Sequence, residues 1–315
     1  MKRLLIMMLG ISLVFAGCGE RGGSDAVITV EDPEEYNPVD LVLAAVKQTK
    51  AASSFRADME LRLTGVPFIG EWVQPVSIEQ AANGDNSMVI DLSHGTAAGE
   101  DLTELVGYVI EMRQLGDLLY LSLPQEEMEL FAETRWVIVA RDQVTEEDLD
   151  YFESFDPNEQ LNFLLATDEN ATISLGEKVK DATATRVSGE STFLDVLNSL
   201  DVEERQEMID SFVSDVASQN AGEEELISGL DKISVEFDVW IGEEGFILRE
   251  IIHLTNWYEF FEAIDPEASD AMDELEDLEM SIETHYFDYG APITIVAPPS
   301  EDVTPYDGSI GDLFE

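Results

Sequence analysis

Apolar and polar residues alternate with a period of two along most of this chain, the pattern of strands with one covered and one wet face. From Phe55 to Thr64 the alternation is unbroken, and Phe55, Ala57, Met59, Leu61 and Leu63 share a face. It returns in Ile233, Val235, Phe237, Val239 and Ile241, followed by Gly242-Glu243-Glu244-Gly245 and a second run from Phe246 to Thr255. Two such runs around a glycine-bounded turn predict a hairpin. Further hairpins are predicted over Ser77–Leu92, turning at Ala82-Asn83-Gly84-Asp85, and over Tyr108–Leu123, turning at Leu115-Gly116-Asp117. Single strands are predicted over Arg135–Ala140, Ala171–Val179, Ala182–Gly189 and Leu278–Phe287.

Helical spacing interrupts this pattern at a few places. Asn37-Pro38 supplies a cap and a first helical position for a helix to about Ala52, since proline there loses no useful donor. Asp156-Pro157 opens a second, with Leu161, Leu164 and Leu165. Between Ser191 and Gln219, apolar residues at spacings of three and four predict a helical hairpin inserted between strands. Trp257–Ile264 and Ala268–Leu275 complete the set. No repeat and no long internal linker divides the chain. The expectation is one α+β domain over 38–299, a large curved antiparallel sheet around a few helices, with the helical insert at 191–219 and an acidic tail at 300–315.

The N-terminus has a different character. Behind Lys2-Arg3, the run Leu4–Gly17 has the basic start and short hydrophobic core of an export signal and is too short to span a bilayer comfortably. Directly after it stands Cys18, the one cysteine of the chain. Phe15-Ala16-Gly17-Cys18 resembles the bacterial lipobox, in which the thiol is acylated and the chain is cut before the cysteine. Phe15 departs from the usual leucine, so a plain secretory cleavage site is the competing reading. Acylation of Cys18 accounts for an unpaired cysteine in an exported chain, where pairs are the rule. The expected arrangement is a signal peptide at 1–17, a lipidated tether at 18–37, and attachment to the outer face of the bacterial cytoplasmic membrane through two or more acyl chains on Cys18.

Charge narrows the partners. Removing Lys2 and Arg3 with the signal leaves 14 basic against 68 acidic residues, a formal charge of −54. Such a chain offers no basic stripe for a phosphate backbone, so nucleic acid is excluded as a partner. Self-repulsion favours a soluble monomer, and an anionic bilayer would repel the body of the protein. No nucleophile elbow, Walker loop or dinucleotide fingerprint is present. His94, His253 and His285 are the only histidines and lack a metal-ligand spacing. Acidic pairs such as Glu243-Glu244 and Asp148-Asp150 read as solvated surface. The expectation is a protein that is not an enzyme and uses neither cofactor nor metal.

Several landmarks occur in a telling order: Met112 to Leu121, Arg135-Trp136-Val137, Asp156-Pro157 before a leucine-rich helix, Leu175-Gly176-Glu177 leading to Thr183–Arg186, Val239 to Gly245, Phe287-Asp288-Tyr289-Gly290, and Ala297-Pro298-Pro299. Together they resemble the LolA-like lipoproteins, and most of all the LppX/LprG branch of actinobacterial lipid-binding lipoproteins. The resemblance implies a half-barrel of antiparallel strands curled around helices and enclosing an apolar cavity for lipid or acylated molecules. It carries over one residue, Cys18. On that fold the cavity lining is expected from Met59, Leu61, Leu63, Ile78, Met88, Ile90, Val235, Phe237, Val239, Leu248 and Ile252. The competing reading is that these side chains pack on the helices as an ordinary core. A second function on the same fold is a non-catalytic envelope sensor or protein-binding module.

Overall fold

The computed structural model describes residues 37–66, 70–91, 96–97, 100–101, 109–122, 134–140, 157–202, 204–206, 208–209, 223–264 and 276–306. The expected signal, Cys18 and most of the tether lie outside these residues, as do Ala268–Leu275 and much of the second half of the helical insert.

Fourteen strands form the sheet: β1 (Phe55–Val66), β2 (Gly70–Gln80), β3 (Asn86–Asp91), β4 (Thr96–Ala97), β5 (Glu100–Asp101), β6 (Val109–Leu115), β7 (Leu118–Ser122), β8 (Trp136–Ala140), β9 (Thr172–Val179), β10 (Ala182–Thr192), β11 (Ser234–Gly242), β12 (Ile247–Thr255), β13 (Glu279–Phe287) and β14 (Val303–Pro305). Their order is β14-β8-β7-β6-β3-β2-β1-β13-β12-β11-β10-β9, with β4 and β5 as a small appendage on β2. The sheet is curved and does not close, as expected for a large antiparallel sheet around a few helices. Neighbours along the order are antiparallel except for β14, which runs parallel to β8.

Each predicted hairpin is present, and local chemistry explains the turns. Gly116 adopts φ +57 between β6 and β7, and Gly245 adopts φ +83 between β11 and β12, a region glycine enters without a Cβ penalty. Helix α1 (Pro38–Lys50) starts where expected, because Asn37 Oδ1 accepts from the Val39 amide at 2.9 Å. After α2 (Pro157–Gln160) the chain tightens into a 3-10 turn over Leu161–Ala166 instead of continuing as an α-helix.

Helix α3 (Phe193–Ser199) begins later than the predicted insert, since β10 pairs with β11 as far as Thr192 opposite Ser234. Thr192 and Asp195 then cap it reciprocally at 3.1 Å in each direction. Helix α4 (Glu223–Leu230) was not foreseen, whereas α5 (Trp257–Ile264) has the predicted limits.

The acidic tail departs from expectation at its start. Ser300–Asp302 forms a 3-10 turn, and β14 sets Val303 beside Trp136, with the Thr304 and Thr134 hydroxyls 2.6 Å apart. Three residues are too few to show a period, so this strand left no sequence signal.

One large core joins the inner face of the sheet to the helices. A small second cluster lies on the outer face, where Val179, Ala184 and Trp240 pack with Leu248 and Ile251. Described arginines also gather on that outer face. Arg186 pairs with Asp238 at 2.7 Å and Arg249 with Glu283 at 2.8 Å, and their guanidinium carbons stand 5.4 and 4.5 Å from the Trp240 ring centre.

Candidate functional site

Strand register places the predicted lining residues in transverse rows across the inner face. One row runs Gln74, Leu61, Ile282, Ile252, Phe237 and Gly189 through β2, β1, β13, β12, β11 and β10. The next runs Ile90, Val76, Met59, Thr284, Glu250, Val239 and Val187. Leu63 and Val235 lie one row to one side, with Met280 and Leu254 between them. Met112, Met88, Ile78 and Ala57 lie one row to the other. Met59, Leu61, Leu63, Ile78, Met88, Ile90, Val235, Phe237, Val239 and Ile252 are therefore one buried, continuous wall.

Leu248 is the exception. A register shift between Trp240 and Ile241 inserts one extra residue into β12, so Ile247 turns inward opposite Ile241 while Leu248 joins the outer cluster beside Trp240. Strict alternation from Ile252 had put Leu248 on the wall. The bulge reverses its side, and Leu248 leaves the set.

Helices approach this wall unevenly. Helix α1 packs on β11 and β12, the 3-10 turn on β11, and α3 on β10, and these are the extended helix-to-sheet contacts among the described residues. At that end the wall is filled by its own side chains: Phe163 and Phe193 meet edge to face at 5.9 Å, and the Phe237 ring occupies the space above Gly189. At the other end, Met88 and Met112 are directly paired between β3 and β6, with Met59 two strands away. A recess with room for about one water-sized guest, lined by Leu41, Ala44, Ala45, Gln48, Ile241 and Gly245, lies between α1 and the β11–β12 turn. It is far smaller than typical small-molecule sites.

Three polar residues interrupt the apolar wall, and the sequence reading missed all of them. Gln74, Glu250 and Thr284 are each wholly buried. Both amide atoms of Gln74 lack a hydrogen-bond partner. Glu250 Oε1 lies 2.7 Å from the Tyr286 hydroxyl. Burial pushes the Glu250 carboxyl up to about 8, against the weaker opposing pull of Tyr286, the nearby Thr284 hydroxyl and the charge of Lys50. The Tyr289 phenol, also raised by burial, donates to the Ile247 carbonyl at 2.6 Å. The signal for Glu250 was in the sequence, as an acid at an inward position between Ile252 and the turn. A buried polar group on an apolar face is the informative exception.

The histidines stay apart from this wall. His253 is exposed, His285 sits on the outer face 2.8 Å from Glu283, and His94 lies outside the described residues. Among the described residues no group of three His, Cys, Asp or Glu side chains could hold a metal ion, and no helix is long and apolar enough to cross a membrane.

No family model matches the chain, and no curated protein matches it in sequence. Solved structures similar to it include the lipoprotein LppX of Mycobacterium tuberculosis, at 13% identity and a TM-score of 0.40 over 82% of this chain and 98% of that one. LprF of Mycobacterium bovis is similar at 12% identity and a TM-score of 0.40, covering 85% and 98%. A LolA superfamily protein of Nitrosomonas europaea follows at 10% identity and a TM-score of 0.26, covering 82% and 96%.

Proposed function

We propose that this chain is a non-catalytic lipoprotein, held at the outer face of the bacterial cytoplasmic membrane through Cys18, that binds or carries lipid or acylated molecules against the inner wall of its sheet. The observation that carries this reading is the apolar face shared by β3, β2, β1, β13, β12 and β11, interrupted only by Gln74, Glu250 and Thr284 among its described inward rows. Its methionine-bearing end, around Met59, Met88 and Met112, offers the side chains best suited to an acyl chain. Methionine side chains adapt to irregular guests. Each methylene taken from water gains about 0.8 kcal/mol, so a chain of ordinary length can compete with a bilayer. Low specificity follows from such a surface.

The test is to purify the protein without its lipid anchor, extract it with organic solvent and measure co-purified lipid by mass spectrometry. Lipid in near-equimolar amount supports the reading. A lipid-free protein that also excludes acyl probes overturns it and leaves the sensor or protein-binding module. For the anchor, Cys18→Ser should release the full chain from membranes; unchanged membrane association would contradict acylation.

A further inference from the structure

The inward positions of β2 are Trp72, Gln74, Val76 and Ile78, which face Leu63, Leu61, Met59 and Ala57 across the pair with β1. Val76 and Ile78 are buried, whereas Trp72 is half-buried and packs against the core from its margin. Gln74 stands between them. It is wholly buried, and neither Oε1 nor Nε2 has a hydrogen-bond partner among the described residues. Glu250, by contrast, has the Tyr286 hydroxyl 2.7 Å from its Oε1 and the Thr284 hydroxyl nearby. An amide left unpaired in a buried site is costly, and an apolar side chain at position 74 would continue the face without that cost. Gln74 thus gives the fold nothing that leucine would not, and its polar atoms call for a partner that arrives from outside.

The amide defines that partner. Nε2 is a donor and Oε1 an acceptor, side by side on one planar group. Their complement is an acceptor oxygen next to a hydroxyl. Charge narrows the choice, because the described inward residues of β1, β2 and β3 are all uncharged. Arg56 and Arg62 of β1 point outward, where carboxylates pair with them. A phosphate or an ionised carboxylate set against Gln74 would be a buried charge with no cation on these strands, in a chain whose net charge is already −52.

We propose that Gln74 is the head-group anchor of the lipid site: Nε2 donates to the carbonyl of a neutral acyl compound and Oε1 accepts from a hydroxyl beside it. A protonated carboxylic acid and an acyl ester next to a free hydroxyl both offer this pair. The hydrocarbon then runs along β2 past Val76 to Ile78 and its neighbour Met88, about 13 Å from Gln74 at the rise of a strand, and the remainder of the head leaves past Trp72. The anchor adds selectivity to a wall that by itself grips any hydrocarbon. It rests on the wall being a lipid-binding surface.

Competition against Nile red bound to the delipidated protein, prepared without its lipid anchor, tests it. The competitors are monodecanoylglycerol, decanoic acid at mildly acidic pH, and methyl decanoate, which has the carbonyl but no donor. The wild type should bind one or both of the first two roughly tenfold tighter than the methyl ester, and which of them it prefers identifies the source of the head. In Gln74→Leu, and in Gln74→Met, which keeps the length of the side chain, that preference should disappear while the methyl ester still binds. A merely structural role for Gln74 would shift all three competitors alike. Equal affinity for the three in the wild type, or the same preference in both variants, would overturn the anchor and leave the carrier reading standing. Failure of all three to bind the wild type would overturn both.

Discussion

The ring of Phe237 lies over Gly189, so close that a Cβ at position 189 would stand 2.5 Å from the ring's Cζ. The two residues are directly opposed on β11 and β10, and the missing side chain of one is the space filled by the other. Gly189→Ala should therefore destabilise the protein by about 1–3 kcal/mol through overpacking. Urea unfolding should show the loss, and Phe237→Leu in the same chain should recover part of it. An additive double variant would show that the ring and the glycine are not coupled.

Gln74 presents the opposite case, a buried amide with neither of its polar atoms paired. It stands in the same row as Leu61 on an apolar wall, so Gln74→Leu removes an unsatisfied group without a change of face. The ligand-free protein should gain about 1–3 kcal/mol in stability by denaturant unfolding. A loss of that size would mean the amide has a partner in solution, such as ordered water.

Glu250 links stability to pH. Its carboxyl sits near 8 in the fold against an ordinary 4.5, so the folded state holds the proton more tightly than the unfolded chain does. Stability from this group is complete below about pH 4.5 and falls as pH rises through about 8. Glu250→Gln should melt close to the wild type at about pH 5 and clearly above it at about pH 9, a gap of a few kcal/mol at most. The two proteins share their other carboxylates, so comparing them isolates this one. A gap independent of pH would show that Glu250 is ionised throughout.

Much of the fold was legible because periodicity reports which face is covered. The β1 alternation, the β11–β12 hairpin, the Asn37 cap and the limits of α5 all follow from local chemistry and were read correctly. Events that change register without changing composition were not legible. The bulge beside Trp240 moved Leu248 to the outer face, although its own sequence context is that of an inward residue. Tertiary pairing alone makes β14 a strand, since Val303–Pro305 gains its order from β8. Glu250 was visible as an acid but not as the buried partner of Tyr286, which reaches it from another strand. Ten of the lining positions share a wall because the hairpins that carry them kept their predicted phase.

The central claim is that an acyl chain lies against the wall near Met59, Met88 and Met112. Photo-crosslinking with a fatty acid that carries a diazirine along its chain, followed by peptide mapping, addresses it most directly. Labels should fall on inward residues of β1, β3 and β6, and Leu61→Asp should abolish them in protein that still folds, since a charge on that wall is costly to bury. Labelling confined to outward residues, or unchanged in folded Leu61→Asp, would contradict the account.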